Sequence, residues 1–527
     1  MVRGEALSHR ARSSVLISAA PPALVSLASA WCFAQVGTKL PLSQDEAIYA
    51  YGGEQLLKGV PFYVSIFDAK GPLAATLGGA GAAAAGIVGA DMLSGIRIMF
   101  FVLSVCTTVC VFLAAQALFR SSIAGFLSAF AFTGFKGFGI DALGGPNAKT
   151  PAIMFGVLCI YLVVCRSWFW AALVASLASL VWQPMAVFSA SALLLAFLAD
   201  EGETTIWQRG RSSLLGAALP LVAVLAYYAL EGAVGDLLDG LFVFNLSYLD
   251  RAESGLAHSL GRMGGTLMRG YSPMTIPIVV GLVAVLLMIA YVVFTRRRNL
   301  VSFLRRNRFA IVPLTLLPAI GWSLLDFQGY ADWYPLLPFA AMGLGGLGSA
   351  LIRLVPRASL QTVITVALSL VLLTAAATTY AAESRRGLTL QLAEAIAIDR
   401  RLGDRNLFVI GNPSLLALTG RQNPSRYIYL NSGLELWAVD HIPDGTEGYL
   451  RAITNAQPGA LVVSKRCPGP LVTAARRWAR ENGFIQVDLG GIAELYAAPD
   501  LAPDFASDFP VRGLDHSPSN RVEVCDD

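Results

Sequence analysis

The feature that most constrains this chain is a succession of apolar segments, many of them long enough to cross a lipid bilayer. Crossing the hydrocarbon core as a helix takes about 20 mostly apolar residues. Of the 527 residues, 55% are hydrophobic and 14% are charged, whereas soluble domains carry about 25% charge. The eleven candidate spans are residues 14–36, 96–118, 122–140, 151–165, 168–182, 184–199, 213–230, 274–294, 309–325, 335–352 and 360–380. We therefore predict a polytopic α-helical membrane protein.

The N-terminus resembles a signal peptide, because Arg3, Arg10 and Arg12 precede an apolar run. The run extends to Val36, which is long enough to span, and it ends without a small-x-small cleavage site. We interpret it as a retained first span.

Residues 72–90 are the ambiguous segment, because they are long enough to span but consist mostly of glycine and alanine. Glycine weakens a helix interior. If this segment lies along the membrane and the N-terminus is cytoplasmic, every dense arginine group falls on the cytoplasmic side, as the positive-inside rule requires. These groups are Arg120, Arg166, Arg209 with Arg211, the cluster at 296–308, and Arg353 with Arg357.

This arrangement gives about eleven spans, a cytoplasmic N-terminus and an extracytoplasmic C-terminus in a prokaryotic plasma membrane. It places residues 37–95, 139–150, 231–273 and 326–335 outside. The transmembrane part is then 1–380.

From residue 381 the composition becomes that of a soluble protein, and strand-like LFVIG, RYIYL and ALVVSK alternate with helical stretches. We expect a soluble α/β domain with a mostly parallel sheet at 381–500 and a disordered tail at 501–527. Cys467 and Cys525 would be able to form a disulfide in an oxidising compartment.

The segment from Lys39 to Pro72 concentrates charge between apolar segments, and ionisable groups near hydrocarbon tend to be functional. Ser43 and Glu46 have the spacing of a capping box before a helical run. One interpretation is that Asp45 and Glu46 only stabilise a helix N-terminus. If Glu46 folds back onto the Ser43 amide, however, Asp45 is the acid left to face a cavity.

Asp68 and Lys70, in Asp68-Ala69-Lys70-Gly71-Pro72, form a second charged point. The alternative is a solvated turn at the membrane surface. For a transfer reaction, an acid of this loop would accept a proton from a hydroxyl and a lysine would offset the charge of a departing phosphate.

These motifs carry a resemblance to a known superfamily. Gln44-Asp45-Glu46, Leu56 to Tyr63 (LLKGVPFY) and Asp68 to Pro72 resemble the first extracytoplasmic loop of C-type (GT-C) membrane glycosyltransferases, in particular the protein O-mannosyltransferase and aminoarabinose transferase-like superfamily. Weaker matches follow in order over most of the chain: Arg97, Gly144 to Asn147, Trp182-Gln183-Pro184, Phe244-Asn245, and Tyr334 to Pro338. Two positions depart from the pattern: Ala331 to Trp333 stand where a histidine is common, and no acidic residue lies near Thr150-Pro151.

The resemblance implies a GT-C fold and transfer of a mannose- or pentose-like sugar, with inversion, from a polyprenyl-phosphate donor to a glycan, lipid or protein hydroxyl. Carried over, Asp45 would be the general base, Glu46 and Asp68 would shape the site in the loop 37–95, and Lys70 would face the phosphate. We expect Tyr49, Tyr63, Arg97, Asn147, Gln183 and Asn245 to line the cavity. Arg251, Arg262 and Arg269 are candidates for the donor phosphate or for lipid headgroups.

Some superfamily members bind a divalent cation near these acids. The resemblance leaves such a cation open here, although nothing in the spacing requires one, and no other cofactor is implied. We expect no nucleic-acid partner. The alternative function is a polytopic transporter or flippase of lipid-linked or small polar substrates. A transporter is typically built from inverted repeats with broken helices at the bilayer midplane. Here the charges cluster at one face instead.

The topology is testable with reporter fusions at residues 165, 300 and 400. We expect cytoplasmic signals at the first two positions and an extracytoplasmic signal at the third, because the arginine-rich loops should stay inside. A cytoplasmic signal at 400 would refute the eleven-span arrangement.

Overall fold

The computed structural model describes residues 19–199, 204–249, 256–296, 300–325, 327–382, 387–431, 433–465, 469–488 and 493–508. Its membrane part is helical throughout. The helices are α1 (Ala19–Ala34), α2 (Gln44–Leu57), α3 (Phe62–Ser65), α4 (Leu73–Val88), α5 (Met92–Phe119), α6 (Ser122–Thr133), α7 (Lys136–Gly144), α8 (Lys149–Val164), α9 (Trp168–Val181), α10 (Ala186–Leu198), α11 (Ile206–Leu230), α12 (Val234–Leu238), α13 (Phe244–Leu249), α14 (Leu256–Tyr271), α15 (Thr275–Arg296), α16 (Leu300–Arg306), α17 (Ile311–Leu325), α18 (Leu337–Ile352) and α19 (Ala358–Ala382). Short 3₁₀ segments lie at Gln183–Met185, Arg308–Ala310 and Tyr330–Trp333, and a π-helical segment lies at Asp239–Val243.

The apolar helices make this a multi-pass membrane protein. Within the described ranges, five helices are long and apolar enough to span, namely α5, α11, α15, α19 and the continuous stretch Arg308–Leu325. The pair α6 and α7 would add a sixth, bent by 67° at its break. Shorter apolar helices are α1, α4, α8, α9, the stretch Gln183–Leu198, and α18. The count of eleven spans and the sidedness of the termini stay predictions.

The Gly/Ala-rich segment 72–90 forms α4, which packs between α2 and α5 with its backbone very close to both. A Cβ on Gly79 would lie 2.9 Å from the Gly53 carbonyl oxygen of α2. On another face of α4, a Cβ on Gly81 would lie 2.7 Å from the Gly95 oxygen of α5. Small residues allow this approach between helices in a membrane. The composition of this segment is therefore explained by the two close contacts that α4 makes.

The C-terminal part contains α20 (Leu388–Leu402), β1 (Asn406–Ile410), α21 (Ser414–Thr419), α22 (Leu434–His441), α23 (Gly445–Ala456), β2 (Pro458–Ser464), α24 (Pro470–Glu481), β3 (Ile485–Asp488), β4 (Ala493–Ala497) and α25 (Ala502–Asp508). Its four-stranded sheet has the order β1-β2-β4-β3. Only β1 and β2 pair in parallel, while β4 pairs antiparallel with β2 and β3. The predicted mostly parallel sheet is therefore wrong. The connection from β3 to β4 is too short for a parallel crossover, so those strands must be antiparallel.

Two further expectations about this region need correction. The predicted strand RYIYL (426–430) is not a strand, because its backbone carbonyls are used elsewhere. Gly411 donates to the Ile428 oxygen (2.6 Å), and Phe67 of the first loop donates to the Arg426 oxygen (2.9 Å). The predicted disorder of 501–527 is wrong for Ala502–Asp508, which forms α25 with Phe505 fully buried. The rest of that tail, Cys467 and Cys525 lie outside the described residues.

The close contact of α4 with α2 predicts the effect of Gly79→Ala. The added methyl group meets backbone that cannot rotate away, and overpacking of this kind costs about 1–3 kcal/mol. We expect a lower apparent melting temperature in detergent, measured by intrinsic fluorescence.

The matched control is Gly86→Ala on an exposed part of the same helix, where a Cβ would meet nothing within 4 Å. Alanine is favoured over glycine in a helix by about 0.5–1 kcal/mol, so this variant should be unchanged or more stable. Equal melting temperatures for Gly79→Ala and wild type would contradict the packing of α4.

Candidate functional site

The first turn of α2 separates the two acids of the loop. The Ser43 N–H donates to Glu46 Oε2 (2.8 Å), and the Glu46 N–H donates to Ser43 Oγ (3.3 Å). The predicted capping box is confirmed. Glu46 is thereby buried at 7% exposure, whereas Asp45 is exposed at the edge of a large cavity.

This cavity of about 1400 Å³ lies between the first loop, several membrane helices and the C-terminal part of the chain. It brings together most of the residues predicted for the site: Asp45, Glu46, Tyr49, Asp68, Lys70, Asn147, Gln183, Asn245 and Arg262. Their convergence from distant parts of the sequence makes this cavity the candidate active site.

The turn that carries Lys70 is held by its backbone. The Ala69 carbonyl oxygen accepts from Gln183 Nε2 and from Asn245 Nδ2, both at 2.9 Å. Tyr63 donates its hydroxyl to the Lys70 carbonyl oxygen at 2.7 Å. The prediction that Tyr63 lines the cavity is wrong, because its ring is fully buried beneath the turn. Its contact is with the backbone of Lys70.

Asp68 and Tyr49 form the floor beside this turn. The Tyr49 hydroxyl donates to Asp68 Oδ2 at 2.8 Å, and both side chains are about 1% exposed. The Lys70 ammonium lies 6.0 Å from the centre of the Tyr49 ring. A cation at that distance interacts favourably with the ring face. The arrangement places a lysine and two carboxylates, those of Asp45 and Asp68, around one wall.

Arg97 does not line the cavity, contrary to the prediction. It is 3% exposed, and its guanidinium donates to the carbonyl oxygens of Thr38 (2.7 Å) and Leu40 (2.6 Å). A buried arginine requires such acceptors, and here they lie in the stretch that enters the loop. Arg97 therefore fixes where the chain leaves α1 and approaches α2.

The three arginines predicted to bind the donor phosphate do not lie together in the structure, and only one of the two described arginines lines the cavity. Arg262 lies in the cavity wall, where it donates to the Gln328 carbonyl oxygen at 3.3 Å. Arg269 is exposed, lies outside the cavity and donates to the Gly265 oxygen on its own helix (3.3 Å), so its placement in the site is wrong. It lies two turns further along α14, roughly 10 Å from Arg262. Arg251 lies outside the described residues.

A second polar wall of the cavity surrounds Asp141 and contains one residue that was predicted to line it, Asn147. Asp141 accepts hydrogen bonds from Asn147 Nδ2 (2.7 Å), the Tyr330 hydroxyl (2.9 Å) and the Tyr334 hydroxyl (2.6 Å). Asp141 was not among the residues predicted for the site. The available signal was the aspartate's place inside an apolar stretch, where an unpartnered carboxylate would be costly.

Lys149 and Asp332 complete this wall as a buried ion pair, and the Lys149 ammonium lies 5.0 Å from the centre of the Trp182 ring. Burial alone would raise the pKa of the Asp332 carboxyl, but the Lys149 ammonium and donated backbone hydrogen bonds lower it. Asp332 therefore remains the anionic partner of Lys149. The Trp182 face adds an aromatic surface to the cavity.

Burial, and secondarily the negative charge of Asp141, raises the pKa of Glu46 to about 7. Its carboxyl is thus much more easily protonated than an exposed glutamate. Among the described residues, no three His, Cys, Asp or Glu side chains are grouped so as to hold a metal ion.

The comparison with solved structures defines the class of fold. The aminoarabinose transferase ArnT from Cupriavidus metallidurans matches in its apo state with a TM-score of 0.58 and 13% identity, over 93% of this chain and 99% of that chain. The same enzyme bound to undecaprenyl phosphate matches with a TM-score of 0.57 and 14% identity, over the same 93% and 99%. An apo oligosaccharyltransferase from Archaeoglobus fulgidus matches with a TM-score of 0.51 and 11% identity, over 88% of this chain and 73% of that chain.

No protein-family model matches the chain, and no curated protein matches it. Since the solved structures share under 15% of their residues with it, the likeness establishes the fold. The chain has the fold of the GT-C membrane glycosyltransferases, and the fold expected from the loop motifs is confirmed.

The raised pKa of Glu46 predicts how stability changes with pH. Because the fold favours the neutral carboxyl, its contribution is fully present below the ordinary pKa of 4.5 and is lost as pH rises through about 7. Glu46→Gln keeps an acceptor for the Ser43 N–H but cannot ionise. Its apparent melting temperature should therefore fall less than that of wild type between pH 5 and 8.

Glu447→Gln, an exposed change on α23, is the matched control and should keep the wild-type slope. If the apparent melting temperatures of wild type and Glu46→Gln decrease equally between pH 5 and 8, the fold does not favour the neutral Glu46 carboxyl.

Proposed function

We propose that this protein is an inverting glycosyltransferase that moves a sugar from a polyprenyl-phosphate donor to an acceptor hydroxyl at the extracytoplasmic face of the plasma membrane. The observation that carries the proposal is the single cavity in which the exposed Asp45 carboxylate and the side chain of Lys70 both lie. The cavity belongs to a chain with the fold of ArnT, an enzyme solved with undecaprenyl phosphate bound.

The donor phosphate would bind at Lys70. A phosphate in a partly apolar cavity needs cationic donors, which also stabilise the charge that develops when it leaves. Arg262 lies in the same cavity wall as a second cation. Phe242 and Leu246 also line the cavity and are 57% and 66% exposed, which suits contact with a prenyl chain.

In the reaction, Asp45 would accept the proton of the acceptor hydroxyl while the hydroxyl oxygen attacks the anomeric carbon of the donor. The attack comes from the face opposite the phosphate, so the new glycosidic bond forms as the carbon–oxygen bond to phosphate breaks. The bonding electrons leave with the polyprenyl phosphate, whose charge Lys70 offsets. General-base catalysis and charge stabilisation are the two contributions required of these residues.

The remaining assignments are also proposals. Asp68 and Glu46 would shape the wall beneath the reacting atoms, and the polar groups of Asn147, Gln183 and Asn245 would face the sugar. The donor sugar is a mannose- or pentose-like residue, and the acceptor is a hydroxyl of a glycan, a lipid or a protein.

Two variants separate chemistry from donor binding. Asp45→Asn keeps the shape of the side chain but removes the base, so transfer should fall by about 10²–10⁴-fold while undecaprenyl phosphate binds as in wild type. Lys70→Gln removes a charged donor worth about 1.5–3 kcal/mol, so binding of undecaprenyl phosphate should weaken by roughly 10- to 100-fold. Transfer is measured with radiolabelled mannosyl and pentosyl undecaprenyl phosphates and cell-envelope acceptors, and binding with undecaprenyl phosphate alone.

Asp444→Asn and Lys39→Gln serve as controls for the loss of one charge, since both residues are exposed and lie outside the cavity. If Asp45→Asn transfers the sugar at the wild-type rate, Asp45 is not the general base. In proteoliposomes, movement of the lipid-linked sugar across the bilayer without transfer would identify a transporter instead.

A further inference from the structure

We propose that Tyr429, in the C-terminal part of the chain, is a positioning residue for Asp45: its hydroxyl holds one carboxylate oxygen so that the other faces the acceptor. This inference rests on the proposed function. The Tyr429 hydroxyl donates to Asp45 Oδ1 at 3.0 Å, across 384 positions of sequence, and both residues line the cavity.

Tyr429 lies in a segment that is held on both sides of it. The backbone of the two preceding residues is hydrogen-bonded, and the side chain of the following residue is buried. The Ile428 carbonyl oxygen accepts from the Gly411 N–H (2.6 Å), and the Tyr427 oxygen accepts from the Tyr449 hydroxyl (3.0 Å). Leu430, the next residue, is buried in the hydrophobic core of the C-terminal part. A side chain projecting from such a segment has a defined position, which positioning requires.

The same segment is joined to α2 next to Asp45. Gln44 donates its side-chain N–H to the Gly411 oxygen (2.6 Å), and Asn431 donates to Gln44 Oε1 (3.4 Å). Along the helix, the Asn423 N–H donates to the Tyr51 hydroxyl (3.0 Å). These contacts flank the pair of Tyr429 and Asp45, so the C-terminal part completes the site by fixing one residue relative to the other.

The chemistry of the pair suits a base that must be oriented. A carboxylate has two oxygens and about four lone-pair positions, so a hydrogen bond to Oδ1 leaves Oδ2 for a proton. An exposed aspartate without such a contact would rotate among several orientations, and misplacing a catalytic group reduces the rate. Two other titratable groups, Tyr49 and Asp141, interact electrostatically with Asp45.

The Tyr429 hydroxyl keeps its proton at accessible pH. Burial, and then the negative charges of Asp45 and Asp68, raise the pKa of its hydroxyl well above the ordinary value. The phenol therefore stays protonated and cannot itself take the proton of the acceptor. Its influence on the reaction passes through Asp45.

Tyr429→Phe removes the donated hydrogen bond with little change in shape. We expect kcat to fall roughly tenfold, which corresponds to about 1.4 kcal/mol, with the KM for the donor and the affinity for undecaprenyl phosphate unchanged. Fluorotyrosine at 429 keeps a hydroxyl donor and should restore kcat.

Tyr427→Phe is the matched control: the Tyr427 hydroxyl accepts from Arg426, and its side chain lies outside the cavity. This variant should keep the wild-type kcat. The double variant of Asp45→Asn with Tyr429→Phe should be no slower than Asp45→Asn alone, since Tyr429 acts through Asp45.

The outcomes separate this inference from the proposed function. A wild-type kcat in Tyr429→Phe, or a further tenfold loss in the double variant, would overturn the positioning role while leaving transfer by wild type intact. Absence of transfer by wild type, or full transfer by Asp45→Asn, would overturn the proposed function and the positioning role with it.

Discussion

Ser43 and Glu46 form two reciprocal hydrogen bonds at the start of α2. The geometry of the site depends on this capping box, because it sets the orientation of the side chains in the first turn of the helix. With Glu46 turned back onto the helix end, Asp45 is the acid directed at the cavity. The helix keeps that direction because α4 approaches it through glycine backbone. Local capping and close helix packing therefore act together on one carboxylate.

The turn at Ala69 and Lys70 is fixed in a different way, by hydrogen bonds to its carbonyl oxygens from Tyr63, Gln183 and Asn245. Backbone groups away from water must find such partners. Each of these partners comes from a separate segment of the chain. The position of Lys70 therefore depends on how these segments pack together. The Lys70 ammonium lies 6.0 Å from the centre of the Tyr49 ring, and both residues line the cavity.

The C-terminal part is more than an appended domain. Its segment 411–431 joins the first loop through backbone and side-chain contacts at Gln44, Asp45 and Phe67. Residues of this part also line the cavity, among them Asn412, Tyr429 and Asn431. One wall of the cavity and the orientation of the proposed base thus depend on the same contact surface.

The sequence by itself determined the membrane class, the GT-C resemblance and the capping box, because each depends on composition, on short motifs or on atoms a few residues apart. The tertiary structure alone decided which side chains reach the cavity. Tyr63 and Arg97 are among the positions that match the superfamily, yet both are buried against backbone carbonyls. Lys149 pairs with Asp332, and Tyr429 reaches a residue 384 positions away. Hydrogen bonds and ion pairs between distant segments form only where packing brings them together, and no local pattern encodes that distance.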